Sequence, residues 1–116
     1  DELFGLGVNC YHARIVSTEE ASAIKYYANT FLATKVIFNH QFEKYCKDTG
    51  IDWSSISEVL KTDPRLGVSH WQAPGHDGKY GYGGKCFPKD VRALINSTER
   101  LSLLEEVDKI NNSMRD

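Results

Sequence analysis

The chain has 116 residues, 41% of them apolar and 26% charged, with a net charge of −2. That length suits one domain with a real core, and the composition argues against disordered, collagen-like and membrane classes. Lys and Arg are scattered rather than clustered, so nucleic acid finds no electrostatic footprint, and no apolar run approaches the roughly 20 residues of a membrane span.

No signal-peptide pattern opens the chain, and its start at Asp1 rather than methionine reads as a fragment boundary. The three cysteines, Cys10, Cys46 and Cys86, are odd in number and far apart. That argues against a disulfide framework and for a reducing, cytoplasmic setting. No CxxC pair exists, and Cys10 with His12 lacks further ligands, so no metal site is expected.

In chain order, residues 1–12 are glycine-rich and irregular. Their GLGVNC stretch lacks the third glycine and the preceding strand of a dinucleotide fingerprint. ARIV at 13–16 is a short β-prone segment. Ser17 with Glu20 then forms a capping box, which announces a helix. Ala21, Ile24, Ala28, Phe31, Phe38, Phe42 and Tyr45 give it an apolar stripe at three-and-four spacing, interrupted by Lys35. Gly50 supplies the stop. A helix over 18–47 is about 45 Å long, far more than the roughly 13 Å radius of gyration of a compact domain this size. Tyr27, Val36 and Ile37 add apolar surface beyond the stripe, which suits packing against a second subunit.

A shorter helix is predicted over 54–61, with Ser55 and Glu58 as a second capping box. Residues 62–86 carry two prolines and six glycines with little periodicity, and a loop of that length is usually functional or disordered. Trp71, Tyr80 and Tyr82 favour the ordered case. Pro88 fits the first turn of the next helix, whose apolar face is Val91, Leu94 and Ile95. A last helix, from Ser102 with Glu105 to about 114, is predicted to bury Leu103, Leu104, Val107, Ile110 and Met114. The overall expectation is all-α.

Two constellations could carry chemistry. GGKC at 83–86 is no P-loop: Lys79 stands where the upstream glycine is required, Cys86 where the hydroxyl residue is required, and no strand precedes it. What remains is Cys86 two residues before Pro88, at a helix entrance. Unpaired N–H groups and a partial positive charge there suit a thiolate, with Lys85 and Lys89 adjacent. Gly81, Gly83 and Gly84 would let backbone approach a ligand closely. Asp90, one turn on, could orient water or a lysine. A packed, inert cysteine beside a flexible turn fits the local chemistry equally well. In KYYAN, Lys25 and Asn29 share one face of the long helix. A partly buried lysine can serve as acid–base or oxyanion stabiliser with the asparagine orienting it, and two solvated surface residues are the alternative.

Taken in order, AIKYYANTFLATKVIF (23–38), DPRLG (63–67), PGHDGKYGYGGKCFPKDVRAL (74–94) and LLEEVDKIN (103–111) resemble the central domain of the UDP-glucose/GDP-mannose dehydrogenase family. The resemblance implies an all-α, long-helix dimerisation domain like the C-terminal helical domain of 6-phosphogluconate dehydrogenase. Residues 1–17 would be the fringe of an N-terminal NAD-binding domain, and 18–100 the dimerisation and catalytic-cysteine domain. Residues 101–116 would be a helix leading toward a C-terminal nucleotide-sugar-binding domain. It implies oxidation of a nucleotide sugar's C6 alcohol to a carboxylate with NAD, bound mainly outside this chain, in a cytoplasmic homodimer without nucleic-acid or membrane partners. Cys86 would form the thiohemiacetal and thioester, Lys25 act in acid–base work, Asn29 hold the lysine or water, and Asp90 position or activate water. Tyr82 and Gly83 would contact the sugar nucleotide, and Arg65 would reach the neighbouring subunit's active site. UDP-glucose is the substrate that CFPKD and DPRLG suggest. A non-catalytic dimerisation module keeping the same residues is the alternative. Two departures stand out: Lys85 replaces the small residue usual before the cysteine, and VSHWQAPGHDGKY at 68–80 is longer than in many members.

Overall fold

Residues 17–116 are described by a computed structural model. The GLGVNC stretch, the β-prone 13–16 segment, the Cys10–His12 pair and nearly all of the 1–17 fringe lie outside them. Among the described residues there are four helices and no strand: α1 (Thr18–Thr49), α2 (Trp53–Leu60), α3 (Cys86–Ser97) and α4 (Ser102–Arg115).

The capping box forms at the start of α1. Ser17 Oγ accepts from the Glu20 N–H at 3.1 Å, and Glu20 Oε1 accepts from the Ser17 N–H at 2.9 Å. Gly50 ends the helix in the left-handed region at φ 80°, and its N–H donates to the Cys46 carbonyl. Only glycine takes that geometry without a steric cost. The helix runs two residues past the expected end. Its 32 residues make about 48 Å at 1.5 Å per residue, matching the molecule's 49 Å longest dimension. The radius of gyration is therefore 15.5 Å, above the roughly 13 Å of a compact domain this size.

The apolar stripe lies on the exposed side of α1, and Ile37 and Val36, expected to add surface for a second subunit, pack in and against the core instead. Phe31, Phe38, Phe42 and Tyr45 are exposed, while Ala33, Ile37 and Cys46 are buried. Ala33 and Ile37 meet Tyr82, Val91, Leu104 and Val107 in one cluster, flanked by Val36, Phe87, Leu94 and Ile110. The side held by α3 and α4 is thus the narrower, less aromatic one, and α4 packs into the same core as α1 and α3.

Two smaller expectations are corrected. Ser55 and Glu58 make no capping box: α2 begins at Trp53, and Ser55 Oγ donates back to Asp52 Oδ2 at 2.8 Å. Glu58 instead pairs with Lys61 at 2.9 Å. In α4, Leu103 is 71% exposed rather than buried, because Leu104 and Val107 take the inward face.

The long loop from 61 to 85 is ordered by a polar ridge on α1. Lys35 Nζ donates to the Leu66 carbonyl at 2.8 Å and lies 4.7 Å over the Trp71 ring. Asn39 Nδ2 donates to the His70 carbonyl at 2.9 Å. Tyr80 donates to Glu43 Oε1 at 2.8 Å while accepting from Lys47 at 2.9 Å. These α1 positions recur every four residues, the spacing that places side chains in one row on a helix. From α2, Trp53 Nε1 donates to the Trp71 carbonyl at 3.0 Å.

Candidate active site

The two chemical constellations meet at one contact. Asn29 Nδ2 donates to Asp90 Oδ2 at 2.6 Å, across 61 residues of sequence. Asp90 is only 1% exposed, and its second oxygen, Oδ1, is buried without a protein partner. A buried carboxylate oxygen left unpaired is costly, so this atom is an acceptor in want of a donor such as water or an ammonium group. Lys25 lies one turn before Asn29 on α1, and Cys86 one turn before Asp90 on α3; both are exposed.

Cys86 is the first residue of α3 and Pro88 the third, so the proline's missing N–H falls in the turn that has no intrahelical acceptor for it. Lys85 occupies the cap position without a side-chain capping bond, and nothing in the structure explains its charge. Cys86 differs sharply from Cys46, whose thiol is fully buried and pushed up by desolvation, with Glu43 and Asp52 adding to it.

Tyr82 and Gly83 lie on the approach to Cys86. The Tyr82 ring is buried against Phe87, its N–H donates to Asn111 Oδ1 at 2.6 Å, and its hydroxyl donates to Asp108 at 3.3 Å. Burial, with Asp108 beside it, pushes the phenol well above its ordinary range. The side chain is thus a core element, and the residue also borders the open cleft of about 860 Å³ between α1, α2 and the 68–83 loop. Gly83 and Phe87 border the same cleft; Lys25, Asn29, Cys86 and Asp90 do not. Arg65 is far more exposed, at 84%, and is held by Asp63, its Nη2 lying 2.6 Å from Oδ2. The pair keeps the guanidinium charged and lowers the Asp63 carboxyl.

Sequence reasoning missed the residues that hold this loop. His40 is 1% exposed; its Nδ1 accepts from the Gly81 N–H at 2.8 Å and its Nε2 lies 2.9 Å from the Gln72 carbonyl. That pattern requires the neutral ring with the proton on Nε2. His70 has φ 66° and stacks on Phe87 at 5.8 Å. Asn111 and Arg115 come from α4. The available signal was the run of glycines at 81, 83 and 84, which implies something packed close against the backbone without saying what.

The Asn29–Asp90 bond thus ties the helix that carries the K-x-x-x-N motif to the helix that Cys86 opens, within one all-helical unit. The sequence model for the UDP-glucose/GDP-mannose dehydrogenase family, central domain, matches residues 19–113, and the chain belongs to that family. It is 43% identical over 91 residues to the UDP-glucose 6-dehydrogenase of Pseudomonas aeruginosa, an alignment covering 77% of this chain and 19% of that one. With UDP-glucose 6-dehydrogenase TuaD of Bacillus subtilis it shares 35% over 111 residues, covering 90% and 23%. The Streptococcus pneumoniae UDP-glucose 6-dehydrogenase is 32% identical over 104 residues, 88% of this chain and 25% of that one. The chain thus spans about a fifth to a quarter of the length of these relatives.

Proposed function

We propose that this chain is the central, thiol-bearing and dimerisation domain of an NAD-dependent nucleotide-sugar 6-dehydrogenase, with UDP-glucose as substrate. The observation that carries the reading is the Asn29–Asp90 bond, because it joins the two family motifs, K-x-x-x-N and C-x-P-x-D, into one site. The names of the relatives support the substrate class. With no strand among the described residues, the βαβ cradle a dinucleotide needs is not among them, and in this reading NAD is held by chain outside them. Residues 1–17 would border that domain, 18–100 form the body of the central one, and 101–116, whose helix shares its core, lead toward a nucleotide-sugar-binding one.

Two NAD⁺, bound in turn, would each supply an acceptor for one of the two hydrides lost as a primary alcohol becomes an acid. The chain's own residues act on the sugar carbon. Cys86 Sγ adds to the C6 aldehyde, giving a thiohemiacetal, and the proton released from the thiol ends on the carbonyl oxygen. After the second oxidation the carbon is a thioester. Water adds to it, the C–S bond breaks, and the thiol is regenerated as the carboxylate leaves. Capture as a covalent adduct keeps the reactive aldehyde in place between steps. Lys25 stabilises charge on the C6 oxygen and exchanges its proton. Asn29 fixes Asp90, and the unpaired Asp90 Oδ1 holds the water. Gly83 presents backbone at the cleft to the sugar nucleotide, and Arg65 reaches a neighbouring subunit's site.

The test is NADH formation by the longer protein containing this chain, against a panel of UDP- and GDP-sugars. UDP-glucose should give two NADH per acid formed. Cys86→Ser should abolish acid formation, with loss of at least about 10³-fold in kcat for a missing covalent nucleophile. A fully active serine variant would overturn the covalent role. A wild type inert to every sugar would instead favour a non-catalytic dimerisation module.

A further inference from the structure

Gly81 and Gly83 owe their lack of side chains to α4. A Cβ on Gly81, which has φ +87°, would collide with Asn111 Oδ1 and lie 3.2 Å from Arg115 Cγ. A Cβ on Gly83 would lie 2.5 Å from Arg115 Nη2 and 2.8 Å from its Cζ. The guanidinium therefore lies close against the backbone of the loop that enters α3. It is also bonded around its edge: Nη2 to Asp77 Oδ2 at 2.6 Å, and Nη1 to the Tyr80 and Gly81 carbonyls at 3.4 and 3.3 Å. One planar group thus reaches a carboxylate and two successive carbonyls, which the fork of Arg can do and the point charge of Lys cannot. One turn earlier, Asn111 is 4% exposed and accepts from the Tyr82 N–H.

We infer that Arg115, with Asn111, is a positioning residue that straps the Gly81–Gly83 backbone for the sugar nucleotide, independently of the thiol. The independence follows from how α3 is held. Its Asp90 is tied to Asn29 on α1, and its Val91 is fully buried in the core. Neither contact involves α4's last turn. Removing the strap therefore frees the backbone that borders the cleft while Cys86 stays where α3 places it. This assignment rests on the proposed function only for its effect on substrate; the physical strap stands apart from it.

The test compares wild type with R115A and R115K, and with D77N, which breaks the same ion pair from its more exposed side and guards against an unfolded R115A. In R115A the Gly81 and Tyr82 amides should exchange with solvent roughly ten-fold faster, as a locally opened segment does. Alkylation of Cys86 by iodoacetamide, followed by peptide mass, should stay within about two-fold, because the thiol's exposure and its place at the α3 entrance, which set its access and thiolate fraction, do not depend on the strap. D77N should show the same pattern in smaller degree, and R115K should fail to restore amide protection. In the longer enzyme, R115A should raise KM for the nucleotide sugar by about ten-fold and change kcat far less, the signature of lost ground-state positioning. Unchanged amide exchange in both R115A and D77N would overturn the strap, as would Cys86 alkylation rising in parallel with exchange. An inert wild-type enzyme would refute the dehydrogenase reading, while the exchange measurement would still decide the strap.

Discussion

Among single residues, His40 shows how much of the loop depends on one protonation state. Its Nδ1 must be unprotonated to accept from the Gly81 N–H, and burial holds the imidazole below its usual range, against the opposing pull of Glu43 and Asp77. Lys44 adds to the lowering, and the Tyr80 ring sits edge-on to it. A histidine with a lowered folded pKa takes up a proton more readily when unfolded. Stability from this group is therefore complete above about pH 6.5 and declines as pH falls from there toward the folded value. His70, lowered by burial and by Lys35, contributes in the same direction. Asp77, held low first by its bond to Arg115, acts in a separate, more acidic window below about pH 4. The expected outcome is a thermal midpoint that drops between about pH 6.5 and 5 in wild type and drops less in H40Q. Parallel curves for the two proteins would show that His40 is not the responsible group.

Helix by helix, the apolar face is decided by which neighbour claims it. In α4, Leu103 and Leu104 are adjacent, yet one is 71% and the other 7% exposed. L104A should cost about 2–5 kcal/mol of unfolding free energy, the range for a buried leucine truncated to alanine. L103A should stay within about 0.5 kcal/mol in denaturant titration. Equal costs would mean that α4 is rotated from the position described. The capping box of α1, its Gly50 stop and the entry of α3 before Pro88 were legible in sequence, because each depends on residues within one or two turns. The KYYAN and CFPKD motifs were legible for the same reason. What sequence did not disclose is pairing across the fold. His40, Glu43, Asn111 and Arg115 look like solvent-facing polar residues in a helical pattern, and only the folded loop, 29 to 41 residues away along the chain, shows that they are its anchors. The periodicity of α1 was legible too, but not which residues turn inward: Ile37, expected to add surface for a second subunit, is in the core, and the aromatic stripe is exposed.

For the whole molecule, that stripe has a consequence. Tyr27, Phe31, Phe38, Phe42 and Tyr45 are between 38% and 68% exposed, and they run along a helix that spans the 49 Å length of the molecule. The ring pairs 27–31, 38–42 and 42–45 already pack on one another, at 5.9, 6.2 and 5.3 Å. Two exposed aromatic clusters on one helix face, 27–31 and 38–45, make the kind of apolar patch that marks an interaction surface. The matching surface of a second copy is the occupant that the family reading supplies. Sedimentation should therefore give a dimer at micromolar concentration, and the thermal midpoint should rise with protein concentration, as mass action requires when folding and association are linked. F38E should shift the distribution to monomer while far-UV circular dichroism retains helix, because Phe38 touches none of the core cluster. The same variant should lower activity in the longer enzyme without altering the Asn29–Asp90 contact. The reason is Arg65: it is exposed and pre-aligned by Asp63, and under the proposed function it serves the neighbouring subunit's site, so a monomer would have the thiol without that cation. A wild type that sediments as a monomer, or an F38E monomer with full activity, would remove the dimer from the mechanism.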